Sequence, residues 1–184
     1  MALQDLITDD LIEQTTFRLK FRQEFSRQGD GRTIAKDIGP PIWIANFTTR
    51  PLPLNEVLAL ESKLNGLQGA MGEFEAYDVR LVGQVGSRTI TDQTPNTLTL
   101  NSTFNISVGE YLSIPYASGF VGFHQITGIS GNVVTVVPAI RVGNGTVANT
   151  FKPKVIMTLE PDTIETTQTS NLFSRVSWEG RQVI

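Results

Sequence analysis

The sequence predicts a mainly β protein that carries one α-helix and divides into two domains. Short runs in which apolar and polar residues alternate recur along the chain, and residues 15–22 form the clearest of them. Apolar residues follow a helical spacing in one segment only, between Val57 and Leu67. Charged residues almost vanish between positions 84 and 150, which indicates that a second β unit begins there.

The composition is that of a folded globular chain. Its 184 residues are 40% hydrophobic and 18% charged, and the formal net charge of −3 gives no reason to expect nucleic-acid binding as the main task. With no cysteine and one histidine, His124, disulfides are excluded and a histidine-based zinc site is disfavoured. The N-terminus, MALQDLITDDLIEQ, has acidic residues where a signal peptide has basic ones, so we expect synthesis in a cytoplasm.

The first third of the chain predicts two strands. In TTFRLKFR, residues 15–22, one face carries Phe17, Leu19 and Phe21, and the other carries Arg18, Lys20 and Arg22. The Gly/Asp-rich residues 26–32 predict a loop. Pro40-Pro41 is expected to stop any preceding element, and IWIANF, residues 42–47, resumes as a strand.

A helix of about three turns is predicted next. Asn55 is the expected N-cap, and Glu56 lies in the first turn. The apolar stripe of the helix must cover one face of a sheet; it consists of Val57, Leu60, Leu64 and Leu67. Residues 73–81, EFEAYDVRL, then return to a strand pattern.

The nearly uncharged segment predicts short strands at residues 96–100, 109–114, 122–129 and 132–137, typical of a small barrel or sandwich. After it, Val155, Met157 and Leu159 alternate again, and residues 172–178 form a last strand. We therefore predict that residues 83–150 are a β domain inserted into a first domain made of residues 1–82 and 151–184. The alternative is two contiguous domains, 1–82 and 83–184.

No pattern predicts a catalytic, cofactor or metal site, so we expect no enzyme activity. His124 lies within a strand pattern, where a histidine is most often a hydrogen-bonded structural residue. Glu73 and Glu75 project from one face, as the carboxylates of a glycosidase would, but a solvated acidic strand explains them more simply. Tyr116, beside Pro115, is the aromatic residue of the uncharged segment that we expect to be exposed, and it is a candidate glycan contact.

Several stretches together resemble one family. They are FRLKF, IWIANF, PLPLNE before the helix, LNGLQG, FEAYDVR, VGEYLSI, VVTVVPAIR and the return strand VIMTL. This pattern resembles the distal tail proteins of long-tailed, siphovirus-like bacteriophages, prophages and gene-transfer agents. The resemblance covers most of the chain and rests on no short invariant signature.

The resemblance implies a fold and a function. The fold would be a tail-tube-like β-sandwich flanked by one α-helix, with an inserted small β-barrel resembling oligonucleotide/oligosaccharide-binding folds. Six copies would form a ring at the virion tail tip, joining the tail tube protein to the hub of the baseplate, with DNA only passing through the channel. A six-fold ring needs two different complementary surfaces on each subunit.

Two charged strand faces are the candidate ring surfaces. They are the basic face of Arg18, Lys20 and Arg22 and the acidic face of Glu73, Glu75 and Asp78. The alternative function is a carbohydrate-binding module of a tail tip that contacts host-surface glycan through Tyr116. Neither function involves a cofactor or a membrane.

Overall fold

The computed structural model describes residues 4–27, 29, 31–80, 86–116, 119–141, 146–150 and 152–183. The described chain is mainly β, as predicted, and contains one α-helix, α1 (Leu54–Gly66). A 3₁₀ turn, Gly69–Met71, follows the helix. The strands, in chain order, are β1 (Gln4–Asp5), β2 (Ile12–Arg27), β3 (Thr33–Thr49), β4 (Leu52–Pro53), β5 (Glu73–Ala76), β6 (Ser87–Gln93), β7 (Thr97–Leu100), β8 (Tyr111–Pro115), β9 (Val121–Ser130), β10 (Val133–Val137), β11 (Val147–Asn149), β12 (Val155–Leu159), β13 (Glu165–Gln168) and β14 (Phe173–Gln182).

The strands outside residues 87–149 form one eight-stranded sheet in the order β1-β5-β12-β14-β3-β2. Both β13 and β4 pair with β14 as well. Strand β12 alternates as predicted, and its buried residues are Val155, Met157 and Leu159. The described strands therefore give one sheet and one barrel, and the two-layer sandwich of the resemblance stays a prediction.

The six strands β6 to β11 close into a barrel in the order β10-β7-β6-β11-β8-β9. Its interior holds a separate apolar cluster that includes Leu98, Leu112 and Ile126. A hairpin at Gly131 joins β9 and β10: Val133 pairs with Ser130, and Gly131 has a φ of 57°. Strands β6 and β11 were not predicted, because threonine and asparagine interrupt their short apolar pattern.

The helix lies where its stripe predicts, with Val57, Leu60 and Leu64 buried. Its N-cap is Pro53, which makes no side-chain cap hydrogen bond, so the prediction of Asn55 as the N-cap is wrong. The short strand β4 explains the earlier start: its pairing with β14 holds Leu52 and Pro53 extended, and the helix begins at once after them. Strand β5 is also shorter than predicted and ends at Ala76.

Strand β3 runs without interruption through Pro40-Pro41, so the prediction that these prolines end an element is wrong. The register explains why the strand tolerates them. Lys20 pairs with Ile42 and Arg22 pairs with Gly39, so one residue of β2 lies opposite both prolines. The prolines therefore lie at a bulge. A residue in a bulge does not have to donate an N–H to the partner strand, and proline has no N–H to donate.

The barrel and the sheet share an aromatic cluster. Trp43 of β3 packs edge-on against Tyr111 and Phe123 of the barrel, with ring centroids 5.4 and 5.6 Å apart. The Trp43 indole N–H donates to the Phe123 carbonyl oxygen at 2.7 Å, and this contact is buried. Phe17 of β2 lies 5.4 Å from the Phe123 ring. The main core cluster accordingly includes residues from both parts of the molecule.

Candidate functional site

The distal part of the β2–β3 hairpin, residues 21–39, is here named the arm. Its strands stay paired as far as Arg27 and Thr33, yet every described residue from 23 to 38 is exposed. Four large apolar side chains are among its exposed residues, at 49–65% exposure: Phe21, Phe25, Ile34 and Ile38. Phe25 pairs with Ala35 while Ile34 pairs with Ser26, so both faces of the ribbon carry an apolar residue.

An isolated two-stranded ribbon is marginal in water, and clustered exposed apolar residues are typical of surfaces that contact another protein. The arm is therefore the part of the described surface that is best suited to contact another protein. The arm was not predicted from the sequence. Residues 26–32 were predicted to be a loop and Pro40-Pro41 to end a strand, so β2 and β3 were both expected to be shorter than they are. Phe25, four residues after Phe21, was the available signal.

Besides the two-residue β1 at one end of the sheet, strands β2 and β13 have a free edge among the described residues. Strand β2 pairs only with β3, so the outer edge of its 16 residues has no partner strand. Strand β13 pairs only with β14, and all four of its residues are exposed. Unpaired N–H and C=O groups along such edges are ready to pair with another strand.

The predicted basic face lies on β2. Arg18 is 63% exposed at its side chain and forms an ion pair with Glu179 at 2.9 Å. Lys20 is exposed on the same strand, and Arg22 is half-buried with its guanidinium against the Gly39 backbone. The three predicted basic residues are therefore together on the strand whose outer edge is free.

The predicted acidic face does not form one surface. Glu73 is exposed and Glu75 forms an ion pair with Lys154. Asp78 is 1% exposed and accepts hydrogen bonds from the Thr15 hydroxyl at 2.9 Å and from the Arg80 side chain at 2.8 Å. Its assignment to an exposed acidic face is wrong, because the chain leaves β5 at Ala76 and turns Asp78 back under β2.

The candidate glycan contact, Tyr116, is 8% exposed, so the expectation of an exposed ring is wrong. Its ring stacks on Phe120 at 5.7 Å, and the Arg141 guanidinium lies 4.3 Å from the Phe120 centroid. A cleft of about 290 Å³ opens beside these residues, between the barrel and Pro40-Pro41 at the base of the arm. Arg141 and Tyr116 both pack against the Phe120 ring. The described residues beside this cleft therefore offer no broad aromatic surface to solvent.

His124 lies beside Tyr116 and is a hydrogen-bonded structural residue, as predicted. Its Nδ1 lies 2.8 Å from the Pro138 carbonyl oxygen, which fixes this nitrogen as the N–H donor in the neutral ring. Burial lowers the pKa of His124 to about 4, and the hydrogen bond to Pro138 offsets part of that effect. His124 is therefore neutral at pH 7.

The described residues contain no group of three or more His, Cys, Asp or Glu side chains placed to hold a metal ion. Within the same residues, no helix has the length and apolar character needed to cross a membrane.

Comparison with known proteins gives no further assignment: no protein-family model matches the chain, and no curated protein matches it either.

Proposed function

We propose that this chain is a distal tail protein of a long-tailed bacteriophage or a related particle, a structural subunit whose copies form a ring. The ring would join the tail tube protein to the hub at the tail tip, and DNA would only pass through it. The proposal includes a tail-tube-like role for the eight-stranded sheet. The observation that carries it is the pair of free sheet edges, on β2 and on β13, that one subunit presents.

The two edges suit a heterologous contact between copies. A β2 edge of one subunit can add to the β13 edge of the next and pair the backbone groups that a monomer leaves unpaired. Because the two edges differ, the same contact can repeat around an axis, and a closed ring results when the rotation closes. Strands β2, β3, β14 and β13 of each copy would then continue one sheet around the ring.

Charge supports the same pairing. Residues 18–39, which include the arm, contain six basic and three acidic residues. Residues 160–170, which include β13, contain three acidic residues and no basic one. Opposite charges on the two surfaces favour the correct head-to-tail encounter and disfavour like-with-like pairing of two β2 edges.

The alternative function, a carbohydrate-binding module of a tail tip, has weaker support. Its predicted contact, Tyr116, is buried against Phe120 rather than displayed on the surface. Glycosidase activity has less support still, because Glu75 is engaged by Lys154. The ring proposal involves no catalytic residue.

The ring is tested by light scattering on the purified chain at rising concentration, with electron microscopy of the largest species. We expect a closed oligomer in the wild type. Changing Thr167 and Gln168 to lysine places positive charge on the β13 edge opposite a basic β2, so this variant should remain monomeric with an unchanged melting temperature.

The matched control changes Asn132 and Thr135 to lysine, which adds the same charge at exposed positions on the barrel. This control should assemble like the wild type. A wild type that stays monomeric at every concentration and forms no ring in assembled tails would refute the proposal. Equal assembly by both lysine variants would place the ring contact away from β13.

A further inference from the structure

The side chain of His124 faces the inside of the barrel at one of its ends. Along β9, Phe123 belongs to the main core cluster, whereas Ile126 belongs to the barrel cluster. Neighbouring residues of a strand face opposite sides, so His124 points the same way as Ile126, into the barrel. The end of the barrel formed by Tyr116, Phe120, Gly122, His124 and Pro138 is here named the mouth.

A hydrogen bond from His124 holds the mouth together. Its Nδ1–H donates to the carbonyl oxygen of Pro138 and so ties β9 to the segment that follows β10. The other ring nitrogen, Nε2, is buried and makes no hydrogen bond among the described residues, as is also true of the Tyr116 hydroxyl. The ring is therefore stable in this position only while it stays neutral.

The His124 ring borders the cleft of about 290 Å³, but its Nε2 is buried against the Gly122 backbone. A Cβ placed on Gly122 would lie 2.7 Å from Nε2 and 3.4 Å from the Tyr116 hydroxyl oxygen, so the Gly122 backbone is in contact with both groups. Protonation of Nε2 in place would create a buried N–H⁺ that has no hydrogen-bond partner within the described part of the chain.

Among the described residues that line the cleft, no acidic group faces His124 to compensate such a charge. On the facing strand β8, the residue opposite His124 is Leu112. The titratable and charged groups nearby are Tyr116, whose pKa burial raises, and Arg141, which is itself positive. From β3 and β14, the described residues that line the cleft are Pro40, Pro41 and the neutral Gln182.

We propose that His124 is an acid-sensitive latch on the mouth of the barrel. In its neutral form the imidazole ties β9 to Pro138 and closes the mouth. Its protonated form must reach solvent, and this requires the Pro138 segment and the Tyr116–Phe120 pair to move away from β9. Acid would thereby expose the buried Tyr116 ring and increase the exposure of the half-buried Phe120 ring. This latch does not depend on ring formation, since it lies entirely within the barrel.

The first test uses the fact that His124 is the single histidine of the chain. Its imidazole proton resonances are unambiguous, and their pH titration gives the pKa directly. We expect a value near 4 rather than the ordinary 6.5. A titration midpoint at or above 6.5 would overturn the latch, because the closed mouth would then not disfavour the charged ring.

The second test is hydrogen exchange, normalised to intrinsic rates, at several pH values between 6.5 and about 4. Opening that requires protonation should become about tenfold more populated per pH unit in that range. We expect this increase for amides of the mouth, such as those of Phe123, His124 and Arg141. Amides in the core of the sheet, such as those of Phe47 and Met157, should not follow it. An equal increase in both regions would indicate global unfolding and would overturn the proposal.

His124→Asn is the diagnostic variant, because its side-chain amide can still donate to Pro138 but does not titrate in this range. It should remove the pH dependence of opening at the mouth. Tyr116→Phe is the matched control, since it alters the same site without removing the titrating group, and it should keep that dependence. If His124→Asn does not fold, the imidazole titration and the exchange pattern of the wild type decide by themselves.

Discussion

Trp43 of the sheet packs against the barrel and forms a hydrogen bond to it. It is 2% exposed, packs against two aromatic rings of the barrel and donates its indole N–H to the Phe123 carbonyl oxygen at 2.7 Å. The other tryptophan, Trp178, is equally buried on β14, but its indole N–H has no hydrogen-bond partner among the described residues. Comparing Trp43 with Trp178 therefore separates the contribution of a hydrogen bond to stability from that of burying an aromatic side chain.

Replacing Trp43 by phenylalanine should destabilise the protein more than replacing Trp178 by phenylalanine, by about 1 kcal/mol. Both changes remove similar apolar area, but only Trp43→Phe leaves a buried carbonyl oxygen without its donor. The measurement is the free energy of unfolding in urea for the wild type and both variants. Equal losses would show that the Trp43 hydrogen bond adds nothing to the packing.

Individual residues also mark the limit of what the sequence can predict. The role of His124 follows from its strand pattern and the scarcity of partners for a catalytic histidine. The burial of Asp78 does not follow, because it depends on Thr15 and Arg80 reaching the same point, and Thr15 is 63 positions away. Tyr116 is similar: a position beside Pro115 suggests an exposed loop, and only the stacking with Phe120 buries it.

Among the elements, the helix is the best predicted. Its apolar stripe fixes both its position and its buried face, because a 3.6-residue period cannot be satisfied on a strand. Leu64→Ala should cost about 2–5 kcal/mol, since Leu64 is 0% exposed and its loss leaves a cavity in the main core. Thermal or urea unfolding measures the loss.

Leu58→Ala is the control for that prediction. Leu58 lies on the same helix but is 56% exposed, so its replacement should change the free energy of unfolding by no more than about 0.5 kcal/mol. A Leu64→Ala variant as stable as the wild type, or a Leu58→Ala variant as damaged as Leu64→Ala, would show that the helix packs on a different face.

The arm is the element that could not be predicted from the sequence. Two consecutive prolines within a strand can be read correctly only with knowledge of the opposite strand, and here a single residue of β2 faces both of them. The arm therefore depends on a register that no local pattern encodes. Its exposed Phe21, Phe25, Ile34 and Ile38 would lie near a neighbouring copy in the ring proposal, because that proposal places the β2 edge at the contact between subunits.

For the whole molecule, the six strands of the barrel come between β5 and β12 of the sheet in chain order. The chain leaves the sheet after β5 and returns in β12, and these strands pair with Val155 opposite Ala76. The two ends of the intervening segment thus lie at neighbouring points of one sheet. The composition shift at residue 83 predicts this path, but it cannot predict the aromatic contact between barrel and sheet, because Trp43 and Phe123 lie 80 positions apart.

The contact between Trp43 and the barrel determines how the protein should respond to removal of the barrel. Replacing residues 84–150 by a short Gly/Ser linker is geometrically simple, since the linker need only span adjacent strands. The deletion nevertheless removes Tyr111 and Phe123 from the main core and exposes Trp43 and Phe17 to water. We expect the plain deletion protein to aggregate, because two aromatic residues then add an apolar patch beside a free sheet edge.

The same deletion combined with Phe17→Thr and Trp43→Thr should be soluble and should unfold cooperatively. Threonine keeps the strand propensity of β2 and β3 while removing the apolar surface that the barrel covers. Sedimentation after centrifugation and urea unfolding followed by circular dichroism compare the two proteins. Ring formation should survive in the soluble one, since both proposed edges lie on the sheet. Aggregation of both deletion proteins would mean that the sheet needs the barrel in order to fold. A soluble plain deletion protein would mean that the sheet stays soluble without the aromatic contact to the barrel.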